Sequence, residues 1–138
     1  ITDARNRITL GGVWRAPFGI NVAVTFRYRS ALPYLEYAGR DLNGDSFVID
    51  LPAGVNEVNN RRGDSFQQLD IRVAKEFHFA GQYGVEVIAE LFNVTNETNP
   101  AGFVGNRSAA NFGQPTTFAG DPGQGEQQLW QLGVRFTF

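Results

Sequence analysis

Apolar and polar residues alternate along five stretches of the 138-residue chain with the period of two that belongs to a β-strand. In NRITLGGVWRA, Ile8, Leu10, Gly12, Trp14 and Ala16 fall on one side and Arg7, Thr9, Gly11 and Arg15 on the other. In GINVAVTFRYR, Ile20, Val22, Val24, Phe26 and Tyr28 oppose Asn21, Ala23, Thr25, Arg27 and Arg29. The third stretch sets Leu69, Ile71, Val73 and Phe77 against Gln68, Asp70, Arg72, Ala74 and Glu76, with Lys75 interrupting the apolar side. The fourth sets Val85, Val87, Ala89 and Leu91 against Glu86, Ile88, Glu90 and Phe92. The last alternates Trp130, Leu132, Val134, Phe136 and Phe138 with Leu129, Gln131, Gly133, Arg135 and Thr137. None of these windows carries the helical period of 3.6, so the expected fold is all-β, an antiparallel meander of about five long strands.

The connections alternate in length. PFG and AGQ are tight turns, whereas Ser30 to Phe66 and Asn93 to Gln127 are long connections. Compact domains seldom carry two structureless loops of that length. A short, long, short, long order suits strands that cross a membrane, with turns on the periplasmic side and loops outside. Strands of about 9 to 11 residues match a tilted crossing. Trp14, Phe26, Tyr28, Phe77, Trp130, Phe136 and Phe138 gather towards strand ends, as interfacial girdles do. The expectation is therefore part of a transmembrane β-barrel, and the resemblance described below implies its C-terminal part. Ile20, Val22, Val24, Phe26, Tyr28, Trp130, Leu132 and Val134 would face lipid.

Composition narrows the function classes. A net charge of −2 and a pI near 5.3 leave no basic footprint for nucleic acid. With no cysteine and one histidine, His78, the chain has no disulfide framework, thiolate metal site or imidazole cluster. His78 reads as an interfacial side chain beside a short turn. No triad spacing accompanies it, and Glu86 and Glu90 are about 13 Å apart along a strand, too far for a glycosidase pair. They read as interior carboxylates with Arg72 of the neighbouring strand as partner. The expectation is a protein that is not an enzyme.

The ending QLGVRFTF is similar to the C-terminal signal of bacterial outer-membrane β-barrels through Gln131, Gly133, Phe136 and Phe138. The resemblance implies that the barrel assembly machinery reads these residues. More narrowly, the order GRDLNGDSF, RRGDSFQQLDIRVAKEF, VEVIAELFNVTNETNP, NFGQPTTF and the closing strand resembles the C-terminal end of TonB-dependent receptors. The likeness is to the group with an N-terminal carboxypeptidase-regulatory-like domain, and it runs from about Arg5 onward. It implies a barrel of about 22 strands around a plug, so that residues 1–138 are the C-terminal fragment and about 17 strands are expected upstream of Ile1. It also implies residence in the outer-membrane lipid and an unknown nutrient ligand. TonB would be contacted only through the missing N-terminal part.

Several loop motifs carry candidate chemistry. In DLNGDS and the residues after it, Asp41, Asn43 and Asp45 have the alternate spacing of a calcium loop, and Asp50 adds a fourth oxygen donor. Ser46 stands where that loop's turn glycine belongs and Pro52 where its closing Glu does. The competing reading is an Asn-Gly turn in a hydrophilic loop, so no cofactor is expected beyond that calcium candidate. RGD at Arg62 to Asp64 reads as chain leading into the third strand. The asparagines of NVT, NET and NRS suit a strand exit into water. Phe103, Phe112 and Phe118 in the second long loop would either contact a ligand or pack the loop onto its neighbours.

The reading is an outer-membrane receptor segment that completes a barrel wall, carries the assembly signal and presents two external loops for nutrient capture. Two other classes fit parts of the pattern. One is a soluble antiparallel β-sandwich acting as a binding module. The other is a passive adhesin or porin-like barrel.

Overall fold

A computed structural model describes residues 3–79, 81, 83–120 and 127–138. Strand β1 (Arg7–Ala16) turns through Pro17–Gly19 into β2 (Ile20–Arg29). A long connection containing the two-residue strands β3 (Pro33–Tyr34) and β4 (Arg61–Arg62) leads to β5 (Phe66–Phe79), and a tight turn to β6 (Tyr83–Phe92). The second long connection holds β7 (Pro100–Phe103) and β8 (Pro115–Phe118) before β9 (Leu129–Thr137). The five long strands form one sheet in the order β1-β2-β5-β6-β9, every pair antiparallel. Among the described residues, β1 and β9 keep one free edge each.

Register decides which side chains share a face, because a slip of one residue would move a whole strand to the other side. Trp14, Val22, Val73, Ala89 and Leu132 lie side by side across the sheet. The next row on that face is Gly12, Val24, Ile71, Leu91 and Trp130. Ile20, Phe26, Tyr28 and Val134 join the same face by the same register. Lys75, in the row of Ala16, Ile20, Val87 and Val134 on the short-turn side of that face, sets its Nζ 5.0 Å from the Phe77 ring centroid, where the ring face attracts the ammonium. The polar face carries rows such as Ala23, Arg72, Glu90 and Gln131.

That apolar face is bare. Leu132 is 78 % exposed and Phe136 70 %, and the buried apolar residues among those described are only Ala38 and Ala74. A water-soluble sandwich would cover this face with a second sheet, and none packs there among the described residues. Among the described residues no helix is long and apolar enough to cross a membrane, a test that does not bear on strands.

Two differences from the sequence expectation have local causes. Strand β5 runs from Phe66 to Phe79, beyond the alternating window, because Arg29 pairs with Phe66 at one end and Phe79 with Tyr83 at the other. The long connections are not structureless, since β3 pairs with β4 and β7 with β8. These ribbons are too short to show a period in sequence. The Pro17–Gly19 turn places Phe18 at φ 65, an uncommon conformation for a bulky residue, with its ring 88 % exposed.

Candidate functional site at the loop end of the sheet

The two long connections meet at one end of the sheet and are sewn together by backbone hydrogen bonds. Tyr37 N–H donates to Gly105 C=O and Arg107 N–H to Tyr37 C=O, both at 2.9 Å, forming a parallel bridge between segments far apart in sequence. The Ser108 hydroxyl donates to Ala38 C=O at 2.7 Å. Gly105 permits the contact: a Cβ there would lie 1.7 Å from the Leu35 carbonyl oxygen.

Glu36 sits at the centre of this seam with no exposed side-chain surface. Its Oε2 accepts from Arg61 Nε at 2.7 Å and from Asn60 Nδ2 at 2.9 Å, while its Oε1 accepts from Arg107 Nε. One carboxylate thus ties the first long connection to itself through Arg61 and to the second through Arg107. The Arg61 hydrogen bond leads in holding the Glu36 carboxyl down at about 2, against the opposing effect of burial. Arg61 also lies over the Phe112 ring, 5.9 Å from guanidinium carbon to centroid. Tyr34 stacks on Phe103 at 5.5 Å with the rings 20° apart. Phe103 and Phe112 therefore pack one loop against the other, whereas Phe118 is 47 % exposed.

The acidic turn is also ordered. Carboxylate oxygens of Asp41, Asp45 and Asp50 lie within 4.8 Å of one another. Hard oxygen donors so gathered suit calcium, but they are engaged by the loop's own donors. Asp41 accepts from the N–H groups of Gly44 at 2.6 Å and Ser46 at 2.8 Å, and these bonds, Ser46 first, hold its carboxyl below the usual range. Asp50 accepts from Leu42 N–H at 2.6 Å. The Asn43 amide donates to Asp45 and Asp50 at 3.1 Å each, and its Oδ1 accepts from Asp45 N–H at 2.9 Å. Ser46, standing in for the expected glycine, adopts the left-handed φ of 73 that the turn demands.

On the polar face of the sheet, charges pair across strands. Asp70 accepts from Arg27 Nη2 and Gln68 Nε2 at 2.8 Å each and from Asn93 N–H at 3.0 Å. Arg72 and Glu90 are 3.7 Å apart as the spacing suggested, but Glu86 pairs with Arg135 of β9 at 2.7 Å rather than with Arg72. Glu86 faces Glu76 directly in the register, and His78 Nε2, 3.2 Å from Glu76, lies beside that second carboxylate. His78 falls on the polar face by the register of β5.

One asparagine expected in water, Asn93, is buried instead, and so is Asn99, on which the sequence reading made no statement. Asn93 is 2 % exposed, and its amide exchanges two hydrogen bonds with the Glu97 backbone, from Nδ2 at 2.8 Å and to Oδ1 at 3.0 Å. Asn99, 4 % exposed, pairs with both backbone groups of Gln67 at 2.9 Å. Asn93 of the NVT triplet is thus a buried loop fastener and not a solvated strand exit. The RGD segment leads from β4 to β5 as expected, with Arg62 Nη2 3.1 Å from Asp3.

Gln131, Phe136 and Gly133 take their places in β9, and Phe138, 98 % exposed, follows its end. Sequence reasoning missed Glu36, Arg107 and Asn99. For Glu36 there was a signal, since it is the sole charged residue from Ser30 to Gly39. Its partners lie 25 and 71 residues away, which no local pattern reveals.

A family model described as an outer membrane beta barrel domain matches residues 28–129. No curated protein and no solved structure matches the chain.

Proposed function

The chain belongs to the outer-membrane β-barrel domain family, which places it in the cell outer membrane, and from that premise we propose that it serves a TonB-dependent nutrient receptor. The five-stranded sheet contributes wall, with its apolar face towards lipid and its paired charges towards the lumen. The observation that carries the receptor reading is the Glu36 seam. A passive wall needs no ordered external loops, whereas a capture surface gains affinity when its loops are fixed before the ligand arrives. Here a fully buried carboxylate and a stacked aromatic pair fix two loops against each other.

In this proposal the free edges of β1 and β9 pair with further strands, because five strands cannot close a barrel. The assembly machinery reads Gln131, Gly133, Phe136 and Phe138. TonB acts on a part of the receptor outside residues 1–138. The role is transport and not catalysis.

The test compares growth of a strain lacking the gene with one lacking TonB across media limited in single nutrients. The receptor reading expects a defect on one nutrient that both strains share. A defect that persists in the gene deletion but is absent from the TonB deletion would favour the porin-like or adhesin reading.

A further inference from the structure

A cavity of about 210 Å³ opens at the loop end of the sheet between the two sewn connections. One wall is the Tyr34–Phe103 stack, with one ring from each connection. Gly63 forms part of the lining, and a Cβ there would lie 2.3 Å from the Phe103 ring, so the seat of that ring depends on the glycine. The volume is small beside the roughly 300–1,000 Å³ of drug-sized sites, and so suits a small molecule and not an extended chain.

Arg29 supplies the charge. It ends β2 on the polar face and lines this cavity as well as a second one beside Phe66. Its guanidinium carbon sits 5.5 Å from the Phe66 centroid, which steers the planar group. Its Nε is shut off from solvent with no hydrogen-bond partner. Arg27, Arg72 and Arg135 on the same face each have a carboxylate, and Arg29 has none at ion-pair distance among the described residues. A half-buried guanidinium that lines the cavity with no carboxylate paired to it among the described residues, next to an aromatic wall held by glycine, suits an anion on its outer nitrogens.

The geometry points to a binding site for a small organic monoanion with a flat apolar body, its carboxylate on Arg29 and its ring beside Tyr34 and Phe103. Asp64 also lines the cavity without pairing to Arg29. Its negative charge disfavours a second anionic group and accepts a hydroxyl or ammonium from the ligand. This assignment deepens the uptake reading, on which its physiological purpose rests.

Benzoate and its neutral isostere benzamide, titrated into the full protein in uncharged detergent, test it by calorimetry. Benzoate is expected to bind at least about tenfold more tightly than benzamide, the effect of a charge-assisted hydrogen bond. Arg29→Gln is expected to abolish that difference, and Gly63→Ala to weaken both probes alike by displacing Phe103. Equal affinities in the unaltered protein, no benzoate binding, or undiminished preference in Arg29→Gln would overturn the site. If Arg29→Gln does not fold, as read by loss of resistance to unheated SDS, the benzoate and benzamide comparison and Gly63→Ala still decide. Binding needs no energised membrane, so failure here rejects the site alone, and a growth defect independent of TonB rejects the receptor reading alone.

Discussion

Arg61 donates from Nε to Glu36 Oε2 at 2.7 Å, and the carboxylate that receives it is wholly buried between two loops. Glu36 then reaches Arg107 with its other oxygen, so one carboxylate reinforces the backbone bridge between connections that the sheet itself never brings together.

Replacing that carboxylate should loosen the loops while leaving the wall intact. Glu36→Gln is expected to speed amide exchange at Tyr37 and Arg107 by about tenfold or more, the scale of hydrogen bonds to a charged group. Exchange in β2 and β5 should not change. Unaltered exchange at Tyr37 and Arg107 would show that the backbone bridge holds without the ion pairs.

The same carboxyl sets a pH window. Its folded value, about 2, lies below the ordinary value of 4.5, so its contribution is full above 4.5 and declines as pH falls towards 2. Amide exchange at Arg107, corrected for the intrinsic pH dependence, should therefore rise between pH 4.5 and 2 in the unaltered protein. In Glu36→Gln that extra rise should vanish. A rise of equal size in both proteins would assign the acid sensitivity to another group.

Asn99 offers a stability test away from any charge. Its amide satisfies both backbone groups of Gln67, and Asn99→Ala would leave a buried donor and acceptor unpaired. The expected cost is about 1–3 kcal/mol in reversible unfolding of the full barrel. A cost near zero would mean that water replaces the amide.

How far the sequence reveals this architecture depends on the range of the forces involved. The alternation of Ile20 to Arg29 specifies a strand and its two faces because each residue's environment is set by its own position along the strand. The neighbour relation of Val24 to Gly12 and Ile71 follows once short turns and long loops fix a meander. The seam at Glu36 was not legible, since its partners come from separate loops and the strands β3, β4, β7 and β8 are too short to carry a period. Glu86 shows the same limit. Its choice of Arg135 over Arg72 depends on which strand lies on its other side. At Asp41 to Asp50 the spacing foretold that carboxylates would converge, and what it did not reveal was how many backbone and amide donors would already occupy them.

Charge placed on the two faces of β2 should have unequal consequences. Val24→Arg on the apolar row is expected to cost about 2–4 kcal/mol in a bilayer, because its guanidinium would face hydrocarbon. Thr25→Arg, beside Asp70 on the opposite face, should cost much less. Reversible unfolding of the full barrel in lipid measures both. Similar costs would remove the distinction between the faces.

The most direct test of the membrane-wall account uses the absence of native cysteine in this chain. Spin labels attached to single cysteines placed in turn from Ile20 to Arg29 would be measured in lipid bilayers for collision with oxygen and with a water-soluble nickel complex. The account predicts a period of two. Labels at Ile20, Val22, Val24, Phe26 and Tyr28 should collide with oxygen, and those at the intervening positions with nickel. A flat profile, or oxygen contact at Asn21, Thr25 and Arg27 instead, would contradict it.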